Sequence, residues 1–160
     1  MFKNFRWLAL GFAILPATTF AQLPDTKVLS LDVAQLIAQE AMNRCRADGF
    51  KITVLVVDSL NTPKALLRDD GAPASTTEAS RMKATSAMLY ERPSGPPPNL
   101  AAGAPTPAPT IAGTSNGPGG VPIKVGGAII GAVGVAGAPH GDSDLACAMA
   151  GLAKAADKLK

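Results

Sequence analysis

Lys51-Ile52-Thr53-Val54-Leu55-Val56-Val57-Asp58, then Ser59-Leu60-Asn61-Thr62, then Pro63-Lys64-Ala65-Leu66-Leu67-Arg68-Asp69 is the stretch that decides the fold. Residues 51–58 are β-branched and nearly continuously apolar, which suits a central strand covered on both faces; a half-exposed strand would alternate polar with apolar. The turn formers at 59–62 reverse the chain, and residues 63–69 return as a second strand. Asp70-Gly71 closes this hairpin.

Working outward, Ser30 precedes a helical pattern in which Ala34, Ile37, Ala38, Ala41, Met42 and Cys45 share one face, and Gly49 stops it. Downstream, Ser75-Thr76-Thr77-Glu78 has the spacing of a capping box, with a helix expected from Thr76 to Tyr90. Residues 91–110 carry Pro93, Pro96, Pro97, Pro98, Pro105, Pro107 and Pro109, too many for a helix or a central strand. This long loop is either a surface excursion or the border of a ligand site. A second hairpin follows, with Val121–Val125 and Ala128–Ala136 joined by Gly126-Gly127. Asp142, Ser143 and Asp144 then open a last helix whose Leu145, Met149, Leu152, Ala156 and Leu159 recur at helical spacing. Helix, hairpin, helix, loop, hairpin, helix implies an α+β fold: an antiparallel β-sheet flanked by helices, loosely a three-layer sandwich.

The chain ends add a compartment. Lys3 and Arg6 precede an apolar run from Trp7 to Leu15, and Thr19-Phe20-Ala21 suits signal peptidase. Residues 1–21 therefore read as a cleaved signal peptide, and the run is too short to cross a membrane, which takes about 20 apolar residues. Removing them from the 160 residues leaves 139, residues 22–160, enough for a single domain with a real core. It also removes two of the 15 cationic residues, so the mature net charge is only +1 against 12 acidic residues. That excludes an electrostatic footprint for nucleic acid. The protein is expected in the periplasm or secreted, where a disulfide between Cys45 and Cys147 would persist; the alternative is two separate buried thiols.

Catalytic motifs are scarce. The glycines between Gly117 and Gly137 lack a phosphate-loop signature and suit tight turns and close helix-on-strand packing. His140, the chain's one histidine, sits between the last strand and the last helix, where it is either an axial ligand to haem iron or a solvent-facing loop residue. Ser75, Glu78 and Arg81 at the start of the second helix are candidate ligand-binding groups, with helix capping and solvation as the alternative. The sequence shows no Ser-His-Asp order and no paired catalytic carboxylates in a recognisable motif, and cysteines expected to be bridged offer no cysteine-histidine nucleophile, so the residues favour binding over catalysis.

Cys45–Gly49 leading into Val54–Asp58, Arg68–Ala72, Glu78–Ala84, Gly119–Ile123, Gly131–Pro139, and Ala146–Ala148 with Ala150–Leu152 recur together in one order. In that order the chain resembles the GlcG/HbpS family of haem-binding domains. The resemblance implies an antiparallel sheet flanked by helices, self-association into a homo-oligomer, and binding of haem or a related tetrapyrrole. A haem-degrading label also belongs to the family, so an enzyme of haem breakdown stands as the alternative, with an oligomeric scaffold or sensor partner as a third. Exported relatives of this type often carry a histidine where this chain has Ser75.

Overall fold

The computed structural model describes residues 26–101 and 103–160; the signal-peptide reading of residues 1–21 lies outside them. The elements run α1 (Leu31–Ala47), β1 (Thr53–Asp58), β2 (Pro63–Arg68), α2 (Ser75–Tyr90), β3 (Gly120–Val125), β4 (Ala128–Ala136) and α3 (Gly141–Ala155), with a short 3-10 turn at Ala156–Lys158. The four strands form one antiparallel sheet in the order β2-β1-β4-β3. The expected α+β architecture is therefore what forms.

The continuous apolar character of β1 follows from its central position. Val54 and Val56 join the core cluster beneath α1 and α3, while Leu55 and Val57 join a second cluster with Ala84 and Ala87 of α2. Helices cover both faces, giving three layers. Ser30 caps α1, its Oγ accepting from the Val33 N–H at 3.3 Å. At the tip of the second hairpin Gly126 and Gly127 both take positive φ, 56° and 86°, as a tight two-residue turn demands.

Cys45 of α1 and Cys147 of α3 are bridged, with their Cα atoms 5.6 Å apart and both side chains fully buried. Of the two readings open for these residues, the bridge is the one observed. It requires α1 and α3 to lie side by side on one face of the sheet. Met149 departs from its expected place: it is 51% exposed, so the buried stripe of α3 runs instead through Asp144, Cys147, Ala148, Gly151 and Ala155.

The α1 C-terminus is tied to the end of β2 by a forked ion pair. Arg46 donates to both oxygens of the buried Asp69 carboxylate (2.8 and 3.1 Å), with Lys51 Nζ at 3.8 Å and the Asp70 N–H at 2.9 Å. The Arg46 hydrogen bonds hold this carboxyl below its ordinary value of 3.8, against the opposing effect of burial. A folded pKa lowered in this way contributes stability above 3.8 and loses it as pH falls through the lower folded value. Asp69→Asn should accordingly lower the Tm at neutral pH, with the gap to wild type closing below 3.8. A gap of constant size across that range, in thermal melts at stepped pH, would contradict the assignment.

Candidate functional site

β4 ends at Ala136, Gly137 turns the chain at φ 129°, and Ala138-Pro139-His140 leads into α3. His140 holds the N-cap position of α3 with extended backbone (φ −131°, ψ 141°) and makes no side-chain cap bond. It is exposed, and among the described residues its imidazole has no hydrogen-bond partner. The ring is therefore free to meet a ligand.

One helical turn on, Asp144 is buried and doubly engaged. Its Oδ2 accepts from Lys83 Nζ of α2 at 2.6 Å and its Oδ1 from the Ala138 N–H at 3.0 Å. Burial pushes this carboxyl above its ordinary value, while Lys83 and the Ala138 N–H pull it back. Placement in the first turn of α3 favours the ionised form as well, because the helix dipole is positive there.

The returning arm of the proline-rich loop closes over this pair. Ser94 anchors the arm: its Oγ donates to the Gly117 carbonyl (2.8 Å) and accepts from the Gly120 N–H (2.7 Å). A Cβ on Gly119 would stand 2.9 Å from Asp144 Cβ and 3.0 Å from Lys83 Cδ, so only glycine lets the backbone lie this close. Gly141 meets Pro118 in the same way, at 2.7 Å. Three segments thus converge beside His140: the middle of α2, the end of the loop, and the β4–α3 turn.

The other candidates sit apart from that junction. Ser75 is the first residue of α2 and exposed; the helix cap is Ala74, in helical conformation and without a side-chain bond. The expected capping box is not formed, because helical geometry already includes Ser75 and leaves its hydroxyl no orphan amide at the right spacing. The buried Thr76 hydroxyl makes other bonds, donating to the Pro73 carbonyl at 2.6 Å and sharing a hydrogen bond with Thr53 Oγ1 at 2.7 Å. Glu78 and Arg81 form an exposed pair at 3.6 Å, the solvated alternative for these two residues. Thr53 lies opposite Ala136 in the sheet, so the start of α2 and the His140 turn share one end of the molecule. Among the described residues no hydrogen bond or ion pair joins His140 to Ser75, Glu78 or Arg81.

Two surface depressions lie elsewhere. A groove of about 700 Å³ runs between α1 and the edge strand β2, lined by residues including Leu36, Gln39, Lys64 and Leu66. A smaller one of about 390 Å³ lies by the β3–β4 turn, against Lys27, Ser59 and Ile129. Neither is lined by His140, Ser75, Glu78, Arg81 or residues 91–110. No three His, Cys, Asp or Glu side chains gather into a metal cluster among the described residues. Of these groups, the unengaged imidazole of His140 is the one that would hold haem iron, through a single nitrogen.

Sequence reasoning missed the Lys83–Asp144 pair. Its one signal was a lysine on the face of α2 that also carries Ala84 and Ala87; nothing in the order of residues joined that lysine to a carboxylate 61 positions away.

The family model described as "haem degrading protein HbpS-like" matches residues 29–153. The chain belongs to the HbpS-like family. No curated protein gives a match. Among solved structures, a crystal structure of HbpS is similar at 36% identity and a TM-score of 0.72, covering 86% of this chain and 96% of that one. A crystal structure of Streptomyces reticuli HbpS with two glutamate-to-aspartate substitutions is similar at 34% identity and 0.71, over 88% of this chain and 97% of that one. A complex of PduOC with heme shares the fold at 20% identity and 0.68, over 80% and 95%. The three-layer sheet of this HbpS-like chain is thus the family's architecture.

Proposed function

We propose that this HbpS-like chain is an exported haem-handling protein, which binds haem or a related tetrapyrrole through His140 and does not turn it over. The observation that carries the reading is the family match over residues 29–153, in a family whose description names haem. The heme complex of PduOC, a protein of the same fold, supports it. So does the state of His140: an exposed imidazole with no carboxylate orienting it is placed to ligate iron and is poorly placed to act as a general base. When bound, haem would supply its iron as the acceptor for that one nitrogen. The buried Cys45–Cys147 bridge supports export to the periplasm or medium, since such bonds persist in oxidising compartments.

Haemin titration of the mature protein tests the binding reading. A saturable Soret change at micromolar haemin is expected, and its absence would sink the proposal. His140→Ala should weaken binding by about tenfold, equivalent to ~1.4 kcal/mol, and shift the Soret maximum. An unchanged spectrum would place the iron away from His140.

The family's description also favours a second reading, oxidative haem breakdown. Incubation of the haem-loaded protein with a reductant and oxygen separates the two. Loss of the Soret band with iron release supports the enzyme; a persistent Soret band supports the binder.

A further inference from the structure

The loop between α2 and β3 contains Pro105-Thr106-Pro107-Ala108-Pro109-Thr110, and all six residues are exposed. Alternating prolines fix φ at every second position and push Thr106 and Ala108, which precede prolines, toward extended backbone, so the segment is stiff up to the bend at Thr110. Asn116 Nδ2 holds it at one point, donating to the Pro107 carbonyl at 3.0 Å. Among the described residues neither the Thr106 nor the Thr110 hydroxyl has a hydrogen-bond partner.

The hydroxyls at the loop's two roots are all engaged. Ser94 bonds Gly117 and Gly120, Ser86 accepts from the Ser115 N–H, Ser115 Oγ accepts from the Gly117 N–H, and Thr114, buried, donates to the Ile111 carbonyl. Hydroxyls needed for folding are thus spent at the roots, and the two on the exposed crest, Thr106 before Pro107 and Thr110 at the bend after Pro109, are left for chemistry. Threonine interleaved with proline on an exposed stretch is the composition that O-glycosylated stalks use.

We propose that Thr106 and Thr110 are O-glycosylation sites that receive a hexose from a polyprenyl-phosphate-linked donor outside the cytoplasm. The threonine Oγ1 attacks the anomeric carbon of the sugar and forms the new C–O bond. The bond from that carbon to the phosphate oxygen breaks, its electron pair leaves with the phosphate, and the hydroxyl proton passes to a base of the transferring enzyme. Nothing is oxidised or reduced. Thr62 is the contrasting case: it is also exposed and precedes Pro63, but its N–H and carbonyl are locked to Asp58 in the β1–β2 turn, so it cannot be presented as extended chain.

The inference rests on the exported reading, and one measurement keeps the two apart. Intact-mass spectrometry of the full chain purified from a culture of its own host should show a protein starting at Gln22 and heavier by whole hexose units. Thr106→Val and Thr110→Val should each remove at least one unit, the double variant should remove them all, and Thr62→Val should remove none. Both threonines are exposed, so the urea midpoints of these variants should match wild type. A mass equal to the bare chain from Gln22 overturns the glycosylation and leaves export standing. An increment of phosphate size, or hexose retained by the double variant, also overturns it. A bare chain that keeps residues 1–21 overturns both.

Discussion

Cys45→Ala/Cys147→Ala is expected to destabilise the domain by about 4 kcal/mol, since cross-linking a loop of ~100 residues removes roughly that much loop-closure entropy from the unfolded chain. The bridge spans 102 positions and joins α1 to α3, helices that hold one whole face of the sheet. Both sulfurs are fully buried, so alanine also leaves small voids and the loss is not offset by better hydration. Urea denaturation of wild type and variant, oxidised and reduced, measures the effect. Reduced wild type should fall close to the double variant, because opening the bridge and deleting it release the same loop. A difference under about 1 kcal/mol between oxidised wild type and the variant would mean that the α1–α3 interface holds without the bridge.

That bridge could be anticipated because the signal-peptide reading of residues 1–21 implies an oxidising compartment and a count of two cysteines leaves one pairing. The strands were legible for a comparably local reason. β1 and β4 are central and buried on both faces, which writes continuous apolar runs into the sequence, and the Gly126-Gly127 turn announces the second hairpin. α1 was legible through its stripe of Ala34, Ile37, Ala38, Ala41, Met42 and Cys45.

α2 is the instructive element. Its extent was found from a capping box that does not form, and its buried face carries Thr76, Ser80, Lys83 and Ser86 beside Ala84 and Ala87. Hydrophobic periodicity is silent on such a face. The cause lies in the partner strand: a Cβ on Gly134 would stand 2.8 Å from the Ala84 N, so α2 rides so close to β4 that bulky apolar side chains have no room. Short polar residues fit, provided each finds a bond, as Ser80 does with the Thr77 carbonyl at 2.8 Å and Ser86 with Ser115.

The site was legible only at its exposed edge. His140 stands out because it is the chain's one histidine and sits at a strand-to-helix turn. Its buried neighbours did not stand out, because bringing Lys83 to Asp144 takes the whole excursion of the proline-rich loop and the passage through β3 and β4. No local pattern encodes that meeting.

Asp144→Leu should destabilise the protein by about 3 kcal/mol or more, because removing one partner leaves the other charge buried and uncompensated. The side chains of Lys83 and Asp144 are 10% and 4% exposed, and the carboxylate also takes the Ala138 N–H, so the leucine variant strands both an ammonium and an amide. Lys83→Met should be milder. It leaves Asp144 its bond to Ala138, and a carboxyl whose pKa burial already raises can shed its charge by taking a proton. The sign of the pH dependence follows. A folded pKa above 3.8 means that the folded state holds the proton more tightly, so the contribution is present below 3.8 and lost as pH rises through the folded value. Without the Lys83 ammonium that value rises further, so Lys83→Met should recover relative to wild type on acidification from pH 7. Asp69 titrates in both proteins and cancels from the comparison. Lys83→Met/Asp144→Leu should be more stable than Asp144→Leu alone, since two apolar side chains strand no charge and only the Ala138 N–H stays unpaired, at about 1–3 kcal/mol. Urea midpoints of the three variants at pH 7 and pH 5 measure all of this. A double variant no better than Asp144→Leu would show that the pair is held by more than its mutual charge.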